Sequence, residues 1–447
     1  MVNSVVPLSN LNGLPALQKR FAISTIGGEV RVIDLEDVTA IWDGDSFRDL
    51  HLYKRIDGSM IMKRHLETLP VVTKPRDDIE NFFVDPLTTV FTSTAFSPDV
   101  MPDSVLNLWS DPPIQPNKGD WSVIQAHLVD VVCGSCPIKA DYLLKFLAHM
   151  LQKPTEKPGV MIVLTGAQGI GKGALLQVLQ RIWQNSCLFT ANIDHVVGRF
   201  TGALERSYLV LLDEALFKGD KKSQDRMKSL ITEPRCQIEV KYQPARSISS
   251  VHRFFATTNR SQFGTTEIDD RRHAFFDVSD CKQNDHAYFS GLFNAINDDQ
   301  VIAAMIDELV NIGLNDFNVR VYPKTPDHGV QVLQSLAGFE SYWYQALTSG
   351  ELDVESGCAE NWIKAEIFVS TSTMQYGCKQ LSSGKYRYER LTYQEIHSTM
   401  DRLCPSATAD RQISMNRQKR GYRLPALSVA RSEFEQAMGF TVDWLEP

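Results

Sequence analysis

The stretch Val160-Met-Ile-Val-Leu164 runs directly into Thr165-Gly166-Ala167-Gln168-Gly169-Ile170-Gly171-Lys172-Gly173-Ala174, and beyond it Leu175, Leu179, Ile182 and Trp183 share one face of a helix. A short apolar strand, a glycine loop and an amphipathic helix, in that order, form the context that a Walker A phosphate loop requires. Glycines let backbone N–H groups curl around phosphate oxygens, and the helix N-terminus adds partial positive charge. Lys172 can then reach the β- and γ-phosphates of ATP. The spacing of Gly166, Gly171 and Lys172 separates this loop from an ordinary glycine turn. One position departs from the pattern. The residue after the lysine, whose hydroxyl usually binds Mg²⁺, is Gly173, followed by Ala174. A bound Mg²⁺ must replace that ligand with water, which it tolerates because it keeps several waters anyway. Weak metal binding or slow hydrolysis is the alternative this departure leaves open.

Working outward, Tyr208-Leu-Val-Leu-Leu212 ends in Asp213-Glu214, roughly 40 residues after Lys172. An apolar strand that delivers two acids at its C-terminal edge sets them beside the phosphate loop. Asp213 would then hold the Mg²⁺ shell, through water, and Glu214 would orient and deprotonate the attacking water. A third strand, Arg253-Phe-Phe-Ala-Thr-Thr258, ends in Asn259, whose amide can hydrogen-bond the γ-phosphate or the lytic water. Next come Asp270-Arg271-Arg272-His273 and the apolar Ala274–Val278. Paired arginines here suit a finger that neutralises transition-state charge in a neighbouring subunit's site. A surface ion pair to Asp269 or Asp270 is the plainer use, and the sequence does not choose between Arg271 and Arg272.

The rest of the 447-residue chain frames this block. Hydrophobic residues make up 43% and charged residues 22%, as expected of a globular protein, and no apolar run reaches the length of a membrane span. The N-terminal MVNSVVPLSN lacks a basic stretch ahead of an apolar block, and eight scattered cysteines fit a reducing compartment, so a cytoplasmic location is expected. The net charge is −8, yet Lys379–Arg423 holds ten Lys/Arg against four acids, a candidate phosphate-binding surface. Residues 1–110 read as a β-rich region, with strands at Phe21–Ile26, Val30–Ile33 and Thr88–Phe91. Residues 111–157 read as a helical collar, in which Leu143, Leu144, Leu147, Met150 and Leu151 bury one face, and Gln152–Gly159 as the linker out of it. Residues 158–330 alternate strands and helices, which implies an α/β domain with a parallel sheet. Residues 331–447 read as a small basic α+β domain of winged-helix-like character that would guide or recruit DNA.

At these residues the chain resembles the helicase domain of phage and plasmid primase-helicases, related to poxvirus-type superfamily 3 helicases. The likeness rests on Gly166–Gly173, Gly198-Arg199-Phe200, Leu211–Ala215, Lys228-Ser-Leu-Ile-Thr-Glu233, Ile238-Glu239-Val-Lys241, and Thr258-Asn259 followed by Arg271-Arg272. Asn107-Leu-Trp109, Leu147-Ala-His-Met150 and Arg320-Val-Tyr-Pro323 extend it to roughly residues 100–325. The Gly-Lys-Gly form of the loop also looks like this group. The resemblance implies an AAA+-like P-loop ATPase core working as a homo-oligomeric ring, usually a hexamer, on single-stranded or forked DNA. It also implies a pore hairpin just before the Asn259 strand, built from Gln237–Tyr242 and Ser247–Phe254 around Gln243-Pro244-Ala245. Lys241, Arg246 and His252 would then lie near the DNA backbone, gripping phosphates without reading bases.

Two other signals carry little. Cys133-Gly-Ser-Cys136 is a lone CxxC without a second pair at zinc spacing. Asp43-Gly-Asp45 is ordinary turn sequence, and primase or polymerase activity is expected from a separate protein. The expected function is an ATP-dependent DNA helicase. The alternatives are an ATP-binding DNA scaffold or initiator that hydrolyses poorly, and an AAA+ remodeller of proteins.

Overall fold

The computed structural model describes residues 13–25, 29–37, 42–43, 46–47, 51–70, 74–214, 221–239, 245–259, 271–323, 326–353, 359–362, 366–382, 391–414 and 417–444. The chain is a mixed α/β protein that divides into two compact units, with the division at Tyr322–Pro323.

The first unit opens with α1 (Gly13–Arg20), β1 (Phe21–Ser24) and β2 (Arg31–Asp34), then the short pair β3 (Trp42–Asp43) and β4 (Ser46–Phe47), then β5 (Leu52–Lys54), α2 (Arg55–Thr68), α3 (Pro75–Val84) and β6 (Val90–Phe91). The sheet order is β5-β2-β1-β6. The region expected to be β-rich therefore also carries three helices. In α2 the buried residues are Gly58, Met62 and Leu66, one every four residues, with an exposed Lys63–Glu67 pair on the outer side. Only glycine fits at 58, because a methyl group there would lie 2.6 Å from Val32. Pro75 opens α3 and Asp77 and Asp78 occupy its first turn, where the helix dipole favours acids. Leu17, Phe21, Ile23, Val32, Met62, Leu66 and Phe82 form the local core. Ile26 and the Gly44-Asp45 part of the Asp-Gly-Asp turn lie outside the described residues.

After β7 (Ser93–Ala95), paired in parallel with β8 (Val105–Asn107), the chain becomes helical: α4 (Ser122–Ala126), one π-helical turn at His127–Val132, and α5 (Pro137–Gln152). In α5 the predicted stripe is buried at Leu143, Leu147 and Met150. The central sheet follows. It contains β9 (Met161–Thr165), β10 (Cys187–Thr190), β11 (Leu209–Leu212), β14 (Arg253–Thr257) and β15 (His273–Asp277), all parallel, in the order β10-β11-β14-β9-β15. Between them run α6 (Lys172–Ile182), α7 (Asp194–Val197), α8 (Lys221–Thr232) and a separate antiparallel hairpin, β12 (Arg235–Ile238) with β13 (Arg246–Ser249). β9, β11 and β14 are buried at every position, as strands covered on both faces must be. With α9 (His286–Asn297) and α10 (Asp299–Asn311), the helices bury Leu143, Phe146, Leu175, Leu179, Leu292 and Met305 in one core with the sheet.

The second unit holds α11 (Pro326–Ser335), α12 (Gly338–Ser349), the pair β16 (Glu351–Asp353) and β17 (Ala359–Asn361), β18 (Ile367–Ser370), α13 (Thr371–Ser382), α14 (Tyr393–Leu403), β19 (Thr408–Ser414), β20 (Arg417–Leu424) and α15 (Leu427–Met438). Its antiparallel sheet runs β18-β20-β19. Its core includes Trp343, Trp362, Met374, Ile396, Leu424 and Phe434. Thr392 and Glu395 close a reciprocal capping box at the start of α14. Among the described residues no helix is long and apolar enough to cross a membrane.

Candidate functional site

The glycine loop leaves the C-terminal end of β9 and closes on the first turn of α6. Gly166 has φ +130°, and a methyl group there would come within 2.6 Å of Ile170 Cδ1 and 3.2 Å of the Val278 carbonyl oxygen. Gly171 is the N-cap of α6 with φ +106°, and a methyl group there would lie 2.6 Å from His127 Cε1. Both positions thus require glycine for conformation and for space. Buried Ile170 pegs the loop into the core, and the first residues of α6, Lys172, Gly173 and Ala174, line the cleft beside it.

Lys172 is only 6% exposed. Its ammonium donates to the carbonyls of Gly166 (2.7 Å) and Ala167 (2.5 Å) and to Asn259 Oδ1 (2.6 Å). Burial pulls its pKa down, while Glu214, Asp213 and Asp277 oppose that shift.

The acid pair arrives on β11, two strands away from β9, with β14 between them. Glu214 adopts φ +52°, a left-handed conformation that a non-glycine residue occupies at a cost. One hydroxyl organises the pair: Thr257 Oγ1 accepts from the Glu214 N–H (3.1 Å) and donates to Asp213 Oδ1 (2.5 Å). The Asn259 side-chain amide donates to the Glu214 carboxylate and accepts from Lys172. Asp213, Thr257, Glu214, Asn259 and Lys172 therefore form one hydrogen-bonded chain along a cleft of about 410 Å³. The same cleft is lined by Gln168, Gly169, Gly171, Gly173 and Ala174.

An all-oxygen set of Asp213, Glu214 and Thr257 suits a hard cation such as Mg²⁺. Among the described residues there is no group of three His, Cys, Asp or Glu placed to hold a metal. A Mg²⁺ ion here would lean on Asp213, water and phosphate oxygens.

Other predicted residues are placed differently. Arg271 is exposed and Arg272 half-buried at the entry to β15, the sheet edge opposite the loop, so neither lines the cleft around Lys172. Arg246 opens β13, while its side chain, and Lys241 with Gln243-Pro244 of the predicted turn, lie outside the described residues. Among the described residues the second arm of the hairpin is shorter than predicted. The strands end at Ile238 and Ser249, and Ser250–His252 turn inward to start β14.

His252 is consequently a core residue and not a DNA contact. It is 2% exposed, with Nδ1 2.8 Å from Ser250 Oγ and Nε2 2.9 Å from the Leu204 carbonyl. Burial pushes its pKa down to about 3. Just past the end of β12, where the chain enters the hairpin's connecting turn, Arg199 pairs with Glu239 at 3.1 Å, and Phe200 is exposed.

Sequence reasoning missed several lining residues: Thr257, Gln177, and the aromatic pair Phe289 and Phe293 on α9. It also missed His127, which bonds the Gly171 carbonyl (3.1 Å) and Tyr288 Oη (3.0 Å) from behind the loop. The four-residue spacing of Phe289 and Phe293 marks a shared helix face, but nothing local says what that face meets.

Comparison with known proteins bears on the fold. Residues 164–272, from the end of β9 to Arg272, match the model of a family of unknown function, DUF5906. No curated protein matches the chain. Among solved structures, the apo C-terminal region of NrS-1 is similar at 14% identity with a TM-score of 0.59, over 91% of this chain and 97% of that one. A second apo structure of that region, in its A form, matches at the same identity and TM-score over 93% and 100%. Nearly the whole chain therefore shares the fold of the NrS-1 C-terminal region, and its glycine-loop segment carries the DUF5906 pattern.

Proposed function

We propose that this chain is an ATP-driven DNA helicase of a phage or other mobile-element replication system, acting as a homo-oligomeric ring on single-stranded DNA, with priming supplied by a separate primase or polymerase. The observation that carries the reading is the position of Asn259, bonded at once to Lys172 and to the Glu214 carboxylate. A γ-phosphate held by Lys172 and a water held by Glu214 would meet at that amide. Glu214 takes the proton of the water as its oxygen attacks the γ-phosphorus and the bond to the β-phosphate oxygen breaks. Mg²⁺, carried by Asp213 and its waters, would neutralise the phosphate charge.

The sheet order supports the same reading, because it is the AAA+-like order in which the Asn259 strand separates the loop strand from the acid strand. Lys241 and Arg246, with Arg199 paired to Glu239 at the turn end of the hairpin and Phe200 beside it in sequence, supply the pore-facing groups of the reading. The second unit adds a candidate DNA-guiding surface. Its sequence of α12, β18, α13, α14, β19 and β20, with sheet order β18-β20-β19, is a winged-helix order. Arg411, Lys419 and Arg420 lie on its wing strands.

Gly173 favours a second reading, an ATP-binding scaffold or initiator that hydrolyses poorly. Steady-state ATP hydrolysis with and without single-stranded DNA separates the two. A motor gives DNA-stimulated turnover that Lys172→Ala abolishes and that Glu214→Gln lowers at least about a hundredfold. ATP binding with no turnover above those variants would leave the scaffold as the better account.

A further inference from the structure

The aromatic surface of the cleft comes from two side chains, Phe289 and Phe293, one turn apart on α9. Their rings are nearly parallel, 28° apart with centroids separated by 6.2 Å. At that centroid distance the two rings are stacked on each other, which leaves no room for a base between them. The two rings therefore make one continuous ledge, and the 36% exposure of Phe293 leaves its outer face open.

The ledge starts at the phosphate loop and is braced against it. Phe289 Cε1 lies 3.2 Å from where a Gly171 methyl group would sit. Tyr288 packs edge-on against Phe289 at 5.3 Å, and its hydroxyl bonds His127 Nδ1 while His127 Nε2 bonds the Gly171 carbonyl. That carbonyl can only accept, so Nε2 carries the proton and Nδ1 accepts from tyrosine. The charged groups of the cleft are committed to the phosphate end: Lys172, Asp213 and Glu214. The cleft lining also includes the amide side chains of Gln168 and Gln177, which can present either donor or acceptor.

We infer that Phe289 and Phe293 are the nucleobase platform of the site, with Phe293 the specificity-determining contact, and that the platform selects by stacking area instead of by base edge. The inference rests on the proposed nucleotide site and adds its substrate class: purine nucleoside triphosphates in general, with pyrimidines bound less well. Every base has a π-face, so stacking tolerates changes at the base edge that a hydrogen-bonding pocket would reject.

The test is equilibrium binding of ATP, GTP, CTP and inorganic tripolyphosphate, each with Mg²⁺, to wild type, Phe293→Ala and Phe293→Trp. ATP and GTP are expected within about threefold of each other, with CTP weaker by about fivefold. Phe293→Ala should lose about tenfold for both purines and leave tripolyphosphate unchanged, while Phe293→Trp holds or improves purine affinity. Unchanged ATP affinity in Phe293→Ala would overturn the platform, as would wild-type discrimination between ATP and GTP beyond about thirtyfold. Failure of tripolyphosphate to displace ATP from wild type would sink the platform for a separate reason, since ATP would then lie away from the loop and the nucleotide site itself would be misplaced.

Discussion

The two edges of the central sheet use charge in opposite ways, and one strand, β14, carries an example of each. Past its C-terminal end, Asn259 joins Lys172 to Glu214 in a cleft, and every partner is itself a polar group that a ligand could claim. At its N-terminal end, Arg253 is fully buried. Its guanidinium donates to the backbone carbonyls of Val251 (2.8 Å), Lys153 (3.2 Å), Pro154 (3.3 Å) and Glu156 (2.5 Å), and it lies 5.0 Å from the Tyr208 ring. Three of those oxygens belong to the 153–156 linker and the fourth to the residue two before Arg253, so this charge ties the linker to β14 and is architecture. A buried charge surrounded by fixed carbonyls fastens one segment to another, whereas charges joined through a side-chain amide that lines an open cleft are arranged for chemistry. Residue type and burial do not make that distinction; the mobility of the partners does.

Arg271 is the strongest challenge to the comparison, because it is an exposed charge at the architectural edge. If that edge does chemistry only in a neighbour's site, Arg271→Ala should lower ATP hydrolysis about a thousandfold with little change in thermal stability. Replacing Arg272, whose side chain is half-buried, by alanine should instead lower thermal stability, through lost packing of its stem. Mixing Arg271→Ala with Lys172→Ala subunits is the decisive measurement. Each is inactive alone, but an Arg271→Ala subunit keeps its loop and a Lys172→Ala neighbour keeps its arginine, so mixed rings should regain turnover. No recovery would mean that the arginine does not act across an interface.

Next in size is Arg253→Met, which removes a guanidinium from several oriented carbonyls and leaves them buried. A loss of about 3 kcal/mol is expected in denaturant unfolding, with nucleotide affinity of the folded fraction kept. The converse at the other edge is Lys172→Met, which should abolish nucleotide binding yet leave the unfolding midpoint unchanged or raised, because a desolvated ammonium has been removed. Were both variants to lose stability equally, the contrast between the edges would collapse.

What the sequence disclosed follows the same division. The glycine loop, the apolar run before Asp213 and the position of Asn259 after a strand were legible because each is a local pattern within about ten residues. The parallel sheet was legible from the alternation of short apolar runs with helical spacing. The helices at 55–68 and 75–84 were not, since each buries few residues and their charged faces resemble loop sequence. Phe289 and Phe293 reach the cleft from a helix that starts more than 100 residues after the loop, a proximity that only tertiary packing creates. His252 was misread because a cation beside a hairpin looks the same in sequence whether the chain stays at the surface or turns into the core. The paired arginines were legible as a pair, and only the difference in exposure separates them.

The smallest expected effect concerns pH, and it touches both edges through two of the three histidines that are buried among the described residues. Burial holds His127, behind the loop, down at about 4 and His252, before β14, down at about 3. Both are neutral in the fold, and both donate from Nε2 to a carbonyl, Gly171 in one case and Leu204 in the other. An unfolded histidine takes up its proton near pH 6.5, so the unfolded state binds more protons below that value. Stability is therefore fully present above pH 6.5 and falls as the pH drops toward 4. At pH 5.5 each histidine should cost about 1 kcal/mol, read as a lower unfolding midpoint that His127→Asn or His252→Gln makes less steep. The two variants should part in a second measurement. Losing His127 frees the Gly171 carbonyl and loosens the loop, so nucleotide affinity should weaken about threefold; losing His252 should leave it unchanged, because that histidine ties Leu204 to the far edge of the sheet. Equal effects of both on nucleotide affinity would mean that the two edges communicate through the strands, and the division of labour would have to be redrawn.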